Sequence, residues 1–80
     1  MTVGEVLDLL SYGTEWQLVG ARTGKKLCDN YNKKETQEKY MDLPVCDNPI
    51  KADFRVRKSD VVKSMTQFIK PMVSIWVSGE

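Results

Sequence analysis

Two cysteines, eleven carboxylates, twelve basic side chains and no histidine are the groups this sequence offers to chemistry. The missing histidine removes the commonest general acid–base group and a frequent metal ligand. Cys28 and Cys46 do not form a Cys-x-x-Cys pair, and two thiols alone do not make a zinc site. A nucleophilic thiolate needs an activating partner, and histidine is not there to serve. Asp8, Asp29, Asp42, Asp47, Asp53 and Asp60 are scattered. Asp42 and Asp47 flank a proline-containing loop, but their spacing does not match a calcium loop. The residues therefore point to no enzyme, no metal and no cofactor, with the carboxylates solvated and the thiols structural.

"ARTGKK", residues 21–26, has a glycine followed by two lysines, as phosphate loops do. A Walker loop needs glycine, four residues, then Gly-Lys-Ser/Thr. Gly20 and Gly24 enclose only three residues, and Lys26 stands where the magnesium-holding hydroxyl would be. Such a loop also opens a helix, whereas "KKLC" reads as a strand. The segment is expected to be a hairpin tip, with Gly24 supplying positive φ.

Two surfaces remain as candidates for binding. In "IKADFRVRK", Ile50, Ala52, Phe54 and Val56 alternate with Lys51, Asp53, Arg55 and Arg57, and Lys58 follows. The apolar set is expected to face the core. The basic set is either the solvated outer face of a sheet or a contact surface for phosphates and acidic side chains, which arginine forks bind bidentately. Lys25 and Lys26 at the hairpin tip would extend it. The second surface is the last strand, "MVSIWVSG". There Val73, Ile75 and Val77 compete with Met72 and Trp76 for the inner face. Either both faces are covered, or an exposed Met72–Trp76 row forms a partner site or dimer interface.

The elements that must position these residues follow from periodicity. "TVGEVLDLL" reads as a short helix, capped by Thr2 with Glu5 three residues on, with Val3, Val6, Leu7 and Leu10 on one face and Gly13 ending it. Trp16 and Leu18 alternate with Gln17 and Val19 in a strand, and "KKLC" returns beside it. Asn32 opens a surface helix over Lys33–Tyr40, with Glu35 and Lys39 paired and Tyr31 and Tyr40 as anchors. Pro44 disfavours a central strand, and Asn48-Pro49 reads as a turn. "SDVVKSMTQFIKP" shows helical spacing at Val61, Val62, Met65, Phe68 and Ile69; its adjacent valines leave a strand-and-loop reading open. Together these predict an α+β fold: a mostly antiparallel sheet of four or five strands, with one or two short helices on one face.

Eighty residues make one domain with one core. The formal charge is +1; residues 1–40 hold six basic and six acidic groups, and residues 41–80 hold six and five. A protein that bound duplex nucleic acid through phosphate charge would be more basic. No apolar stretch nears the length that spans a bilayer, and no basic segment leads into an apolar run as in a signal peptide. A reduced, cytoplasmic protein with two unbridged thiols is expected.

"TVGEVLDLLSYGTEWQLVGARTGKKLC" and "IWVSGE" resemble small proteins encoded by phages and mobile elements of Gram-positive bacteria. The matching motifs are structural, so they transfer no catalytic residue. The resemblance implies an accessory or counter-defence factor in the cytoplasm of a bacterial host. The leading expectation is a non-enzymatic binding module, an inhibitor that occupies a host defence protein. A sponge for an anionic nucleotide is the alternative, formed at a homo-oligomer interface with Lys25, Lys26, Arg55 and Arg57 as donors. A nucleic-acid accessory protein is a further one, whose affinity would fall steeply with salt.

Overall fold

A computed structural model describes the backbone of residues 1–58 and 67–80 and the side chains of residues 1–55 and 70–80. The elements in chain order are α1 (Val3–Leu9), β1 (Trp16–Gly20), β2 (Lys26–Asp29), α2 (Lys33–Lys39), β3 (Val45–Lys58) and β4 (Gln67–Val77). The fold is α+β. Its four strands form one mixed sheet in the order β2-β1-β4-β3, antiparallel except where β1 runs parallel to β4.

Helix α1 begins as its sequence requires. The Thr2 hydroxyl accepts from the Glu5 amide, and the Glu5 carboxylate accepts from the Thr2 amide, so two otherwise orphaned donors are satisfied. The helix stops at Leu9, earlier than Gly13 suggested, because Leu10 is already extended. Gly13 instead sits in the turn that Thr14 closes by donating to the Ser11 carbonyl. Val3 and Val6 are fully buried against Leu18, Cys28, Ile75 and Val77, and Leu7 and Leu10 pack at the margin. In α2, Glu35 and Lys39 pair as expected, but the Asn32 side chain makes no capping bond.

The β1–β2 connection is a hairpin. The Gly24 amide donates to the Gly20 carbonyl and the Gly20 amide to the Lys25 carbonyl, with Gly24 at φ +69°. Gly20 is needed for a second reason: a Cβ there would lie 2.5 Å from the Glu80 carbonyl oxygen.

In the second half of the chain one expectation changes and one open reading is decided. Asn48-Pro49 makes no turn; it lies inside β3, where the register with β4 shifts between Val45 and Ile50. Residues 67–69, where the helical reading and the strand-and-loop reading both stood open, belong to β4; residues 59–66 of that segment lie outside the described residues. Antiparallel pairing with β3, from Lys58↔Gln67 to Ile50↔Ile75, outweighs the helical spacing of Phe68 and Ile69.

Strand β1 reaches only Val73 to Val77 of β4. From Asp53↔Met72 to Lys58↔Gln67, β3 and β4 continue as a two-stranded arm. Pro71 sits in that arm, away from the β1 ladder that a proline would interrupt.

Candidate interaction surface

The alternation in β3 sorts its residues onto two faces. By register, Ile50, Ala52 and Phe54 stand opposite Ile75, Val73 and Pro71, so they share the face that carries the core. The core does not extend to them. Ile75 is fully buried, but Ile50 is 45% exposed and Phe54 66% exposed. Helix α1 covers the centre of the sheet, not the β3 edge, so among the described residues no helix covers this part of the inward-parity face. A groove of about 280 Å³ runs along it, lined by Thr14, Ala52, Phe54, Pro71 and Val73 among others. At Thr14 it adjoins a larger cleft of about 400 Å³, whose walls include Leu10, Tyr12, Trp16 and Lys33.

On the opposite face Arg55 is neither simply solvated nor free for a partner. The Arg55 side chain is only 14% exposed. Its Nη1 donates to Glu15 Oε2 at 3.1 Å and to Asn30 Oδ1 at 3.2 Å, and its guanidinium lies over the Tyr31 ring at 4.9 Å. Glu15 also accepts from the Tyr31 hydroxyl at 2.9 Å and pairs with Lys70 at 3.7 Å. A second cluster crosses three strands: Gln17 Nε2 donates to Ser74 Oγ at 2.9 Å, and Ser74 Oγ donates to Asp53 Oδ2 at 2.8 Å. The Phe54 amide donates to Asp53 Oδ1 at 2.8 Å. That amide first, and the Ser74 hydroxyl second, hold the Asp53 carboxyl below its usual range, against a smaller opposing effect of burial. In a third cluster the Lys51 ammonium sits 4.5 Å from the centre of the Trp76 ring.

The residues singled out from sequence are thus not one patch. Lys25 and Lys26 are exposed at the β1–β2 hairpin, where Lys26 pairs with Asp29. Lys51 and Arg55 lie on β3, the opposite edge of the sheet, and Arg55 is engaged inside the protein. Arg57 and Lys58 occupy the arm's backbone ladder. The Met72–Trp76 row is not exposed: Met72 is 9% exposed, and Trp76 is half-buried beneath Lys51. Among the described residues of the sheet the exposed apolar row is Ile50–Ala52–Phe54. Sequence reasoning assigned it to the core because alternation gives the side a residue points to, not how far a cover extends.

The thiols are separate: Cys28 is buried and Cys46 half-buried. Thr36 Oγ1 donates to Cys28 Sγ at 2.9 Å, joining α2 to β2. Among the described residues no three histidine, cysteine or acidic side chains are grouped to hold a metal, and no helix is long and apolar enough to cross a membrane. No protein-family model, curated protein or solved structure matches this chain.

Proposed function

We propose that this protein is a non-enzymatic binding module and that the exposed Ile50–Ala52–Phe54 face of β3 is its contact surface. The biological form of this reading is the one the resemblance to small phage-encoded proteins implies: an inhibitor that occupies a host defence protein in the bacterial cytoplasm. One observation carries the binding role. Ile50 and Phe54 are exposed on the parity that elsewhere builds the core, beside the groove at Pro71 and Val73. Fully burying a side chain of either size yields about 1.5–3 kcal/mol. Two such anchors on one edge can supply the centre of an interface, with the neighbouring polar residues as its rim.

The test is capture from host lysate with three proteins: the natural chain, an Ile50→Ser/Phe54→Ser variant and a Lys33→Ser/Lys34→Ser control. The reading expects a partner held by the natural chain and the control and lost by the Ile50→Ser/Phe54→Ser variant. A partner held equally by all three, or no partner at all, would overturn it.

A further inference from the structure

Strand β3 has a free edge as well as a bare face, and the two are different surfaces. The sheet order β2-β1-β4-β3 leaves β3 with no described strand on its outer side. The direction of its polar groups follows from β4. The Val73 amide donates to the Glu15 carbonyl at 3.0 Å, toward the β1 side. Its partner Ala52 therefore directs its own N–H and C=O away from β4, and by alternation so do Ile50 and Phe54. Pro71, opposite Phe54, has no N–H to offer, which agrees with that assignment. The Phe54 amide has turned instead to the adjacent Asp53 carboxylate.

We infer that β3 pairs antiparallel with β3 of a second copy, centred on Ala52. The charges on the strand select this register. Outward amides lie at even-numbered positions, so only certain alignments close the ladder. Centred on Asp53, the pairing would set Asp53 against Asp53 and Lys51 against Arg55. Centred on Lys51, it would set Lys51 against itself. Centred on Phe54, it would oppose Lys51 and Arg57. Centred on Ala52, Lys51 faces Asp53 of the second copy twice, by symmetry, and no like charges meet among Ile50–Phe54. The Lys51–Asp53 pairs fall at the narrow, non-hydrogen-bonded positions, where side chains approach closest. Phe54 falls opposite Ile50 on the other face, so the exposed apolar side chains cover each other in part. On pairing, the Phe54 amide passes from Asp53 Oδ1 to the carbonyl of Ile50 in the second copy, which leaves Oδ1 for the incoming lysine. Ala52 meets itself on the twofold axis, where a small side chain permits the approach. The register shift between Val45 and Ile50 ends the ladder on one side. An interface of this length is below the usual size of stable complexes, so the dimer is a reversible one.

Sedimentation equilibrium of the isolated chain tests this directly. The dimer is expected at about 0.5 mM and the monomer at about 5 µM, as for a small interface. Lys51→Glu, at an exposed position, should weaken dimerisation by about tenfold or more, because each pair becomes repulsive. Asp53→Lys should do the same, and mixing the two variants should restore association as a heterodimer. Circular dichroism of each variant alone separates lost pairing from lost folding. A register probe completes the test: in a Cys46→Ser background, Ala52→Cys should give a covalent dimer on mild oxidation, since antiparallel hydrogen-bonded neighbours lie about 5.5 Å apart between Cα atoms. Phe54→Cys should not. A chain that stays monomeric at about 1 mM, a dimer indifferent to Lys51→Glu, or equal cross-linking at positions 52 and 54 would each overturn the inference.

Discussion

Arg55 and Phe54 are neighbours with exchanged roles. By hydrophobicity the phenylalanine belongs inside and the arginine outside; the fold leaves Phe54 66% exposed and the Arg55 side chain 14% exposed. Removing Arg55 takes a charged donor from Glu15 and Asn30 in a half-buried place, leaving Glu15 with Tyr31 and Lys70 and Asn30 Oδ1 with the Trp16 amide. Arg55→Ser should therefore cost about 1–3 kcal/mol in urea denaturation, whereas Phe54→Ala should stay within about 0.5 kcal/mol. Equal costs, or a larger cost for Phe54, would mean the groove is closed in solution. Asp53 makes a prediction about pH. Its folded pKa lies below the ordinary carboxylate value because the Phe54 amide and Ser74 hydroxyl favour the ionised form. Its contribution is therefore present above about pH 4, the unfolded value, and is lost as pH falls through the lower folded value. Asp53→Asn should flatten that part of the stability–pH curve below about pH 4; an unchanged acid limb would show that other carboxylates account for it.

At the scale of elements, local rules succeed where an element completes its own bonds. The first turn of α1 is an example: its capping box is closed between Thr2 and Glu5, three residues apart. Thr2→Ala should cost about 1 kcal/mol of stability in chemical denaturation; a silent substitution would mean that the bonds of Val3 and Gly4 to the Leu43 and Met41 carbonyls, with the bridge between Thr2 and Pro44, hold the helix start. The end of β1 shows the opposite case. Gly20 is demanded by the backbone of Glu80, sixty residues away, which would press on any Cβ there. Gly20→Ala should lower stability by about 1–3 kcal/mol, with the largest amide shift changes at residues 20–24 and 77–80. Strand β4 is the third case. Phe68 and Ile69 suit a helix face by spacing and a strand by composition, and the complementary strand β3 decides between them.

The whole molecule is longer than its residue count suggests. Its extents are 43 × 24 × 20 Å and its radius of gyration 13.8 Å, against roughly 11.6 Å for a compact chain of this size. The difference reflects the arm, which runs on past the sheet from Asp53↔Met72 for about 17–20 Å. A two-stranded ribbon is marginal when nothing covers it. Amide exchange should therefore be slowest at Leu18 and Ile75, in the four-stranded centre, and much faster at Arg55 and Lys70. Protection of the arm equal to that of the centre, at low protein concentration, would show that the ribbon is held by packing of its own. Protection that rises with concentration is what pairing of β3 with a second copy requires.

Much of this arrangement is written in local sequence. The Thr2–Glu5 box and the Gly24 turn are settled within a few residues of themselves, because their partners are near in the chain. Even the parity of β3 is correct from sequence, since a period of two needs no knowledge of neighbours. Which parity meets a cover is another matter. Ile50 and Phe54 carry the inward pattern, yet they lie at the edge of a sheet whose described helix cover protects its centre. Arg55 carries the outward pattern, yet Glu15 and Asn30 come to it from the far side of β4. Burial depends on what other segments reach, and an ion pair depends on where two distant side chains finish. Alternation set the direction of each side chain; only the tertiary fold decided whether it met protein or water.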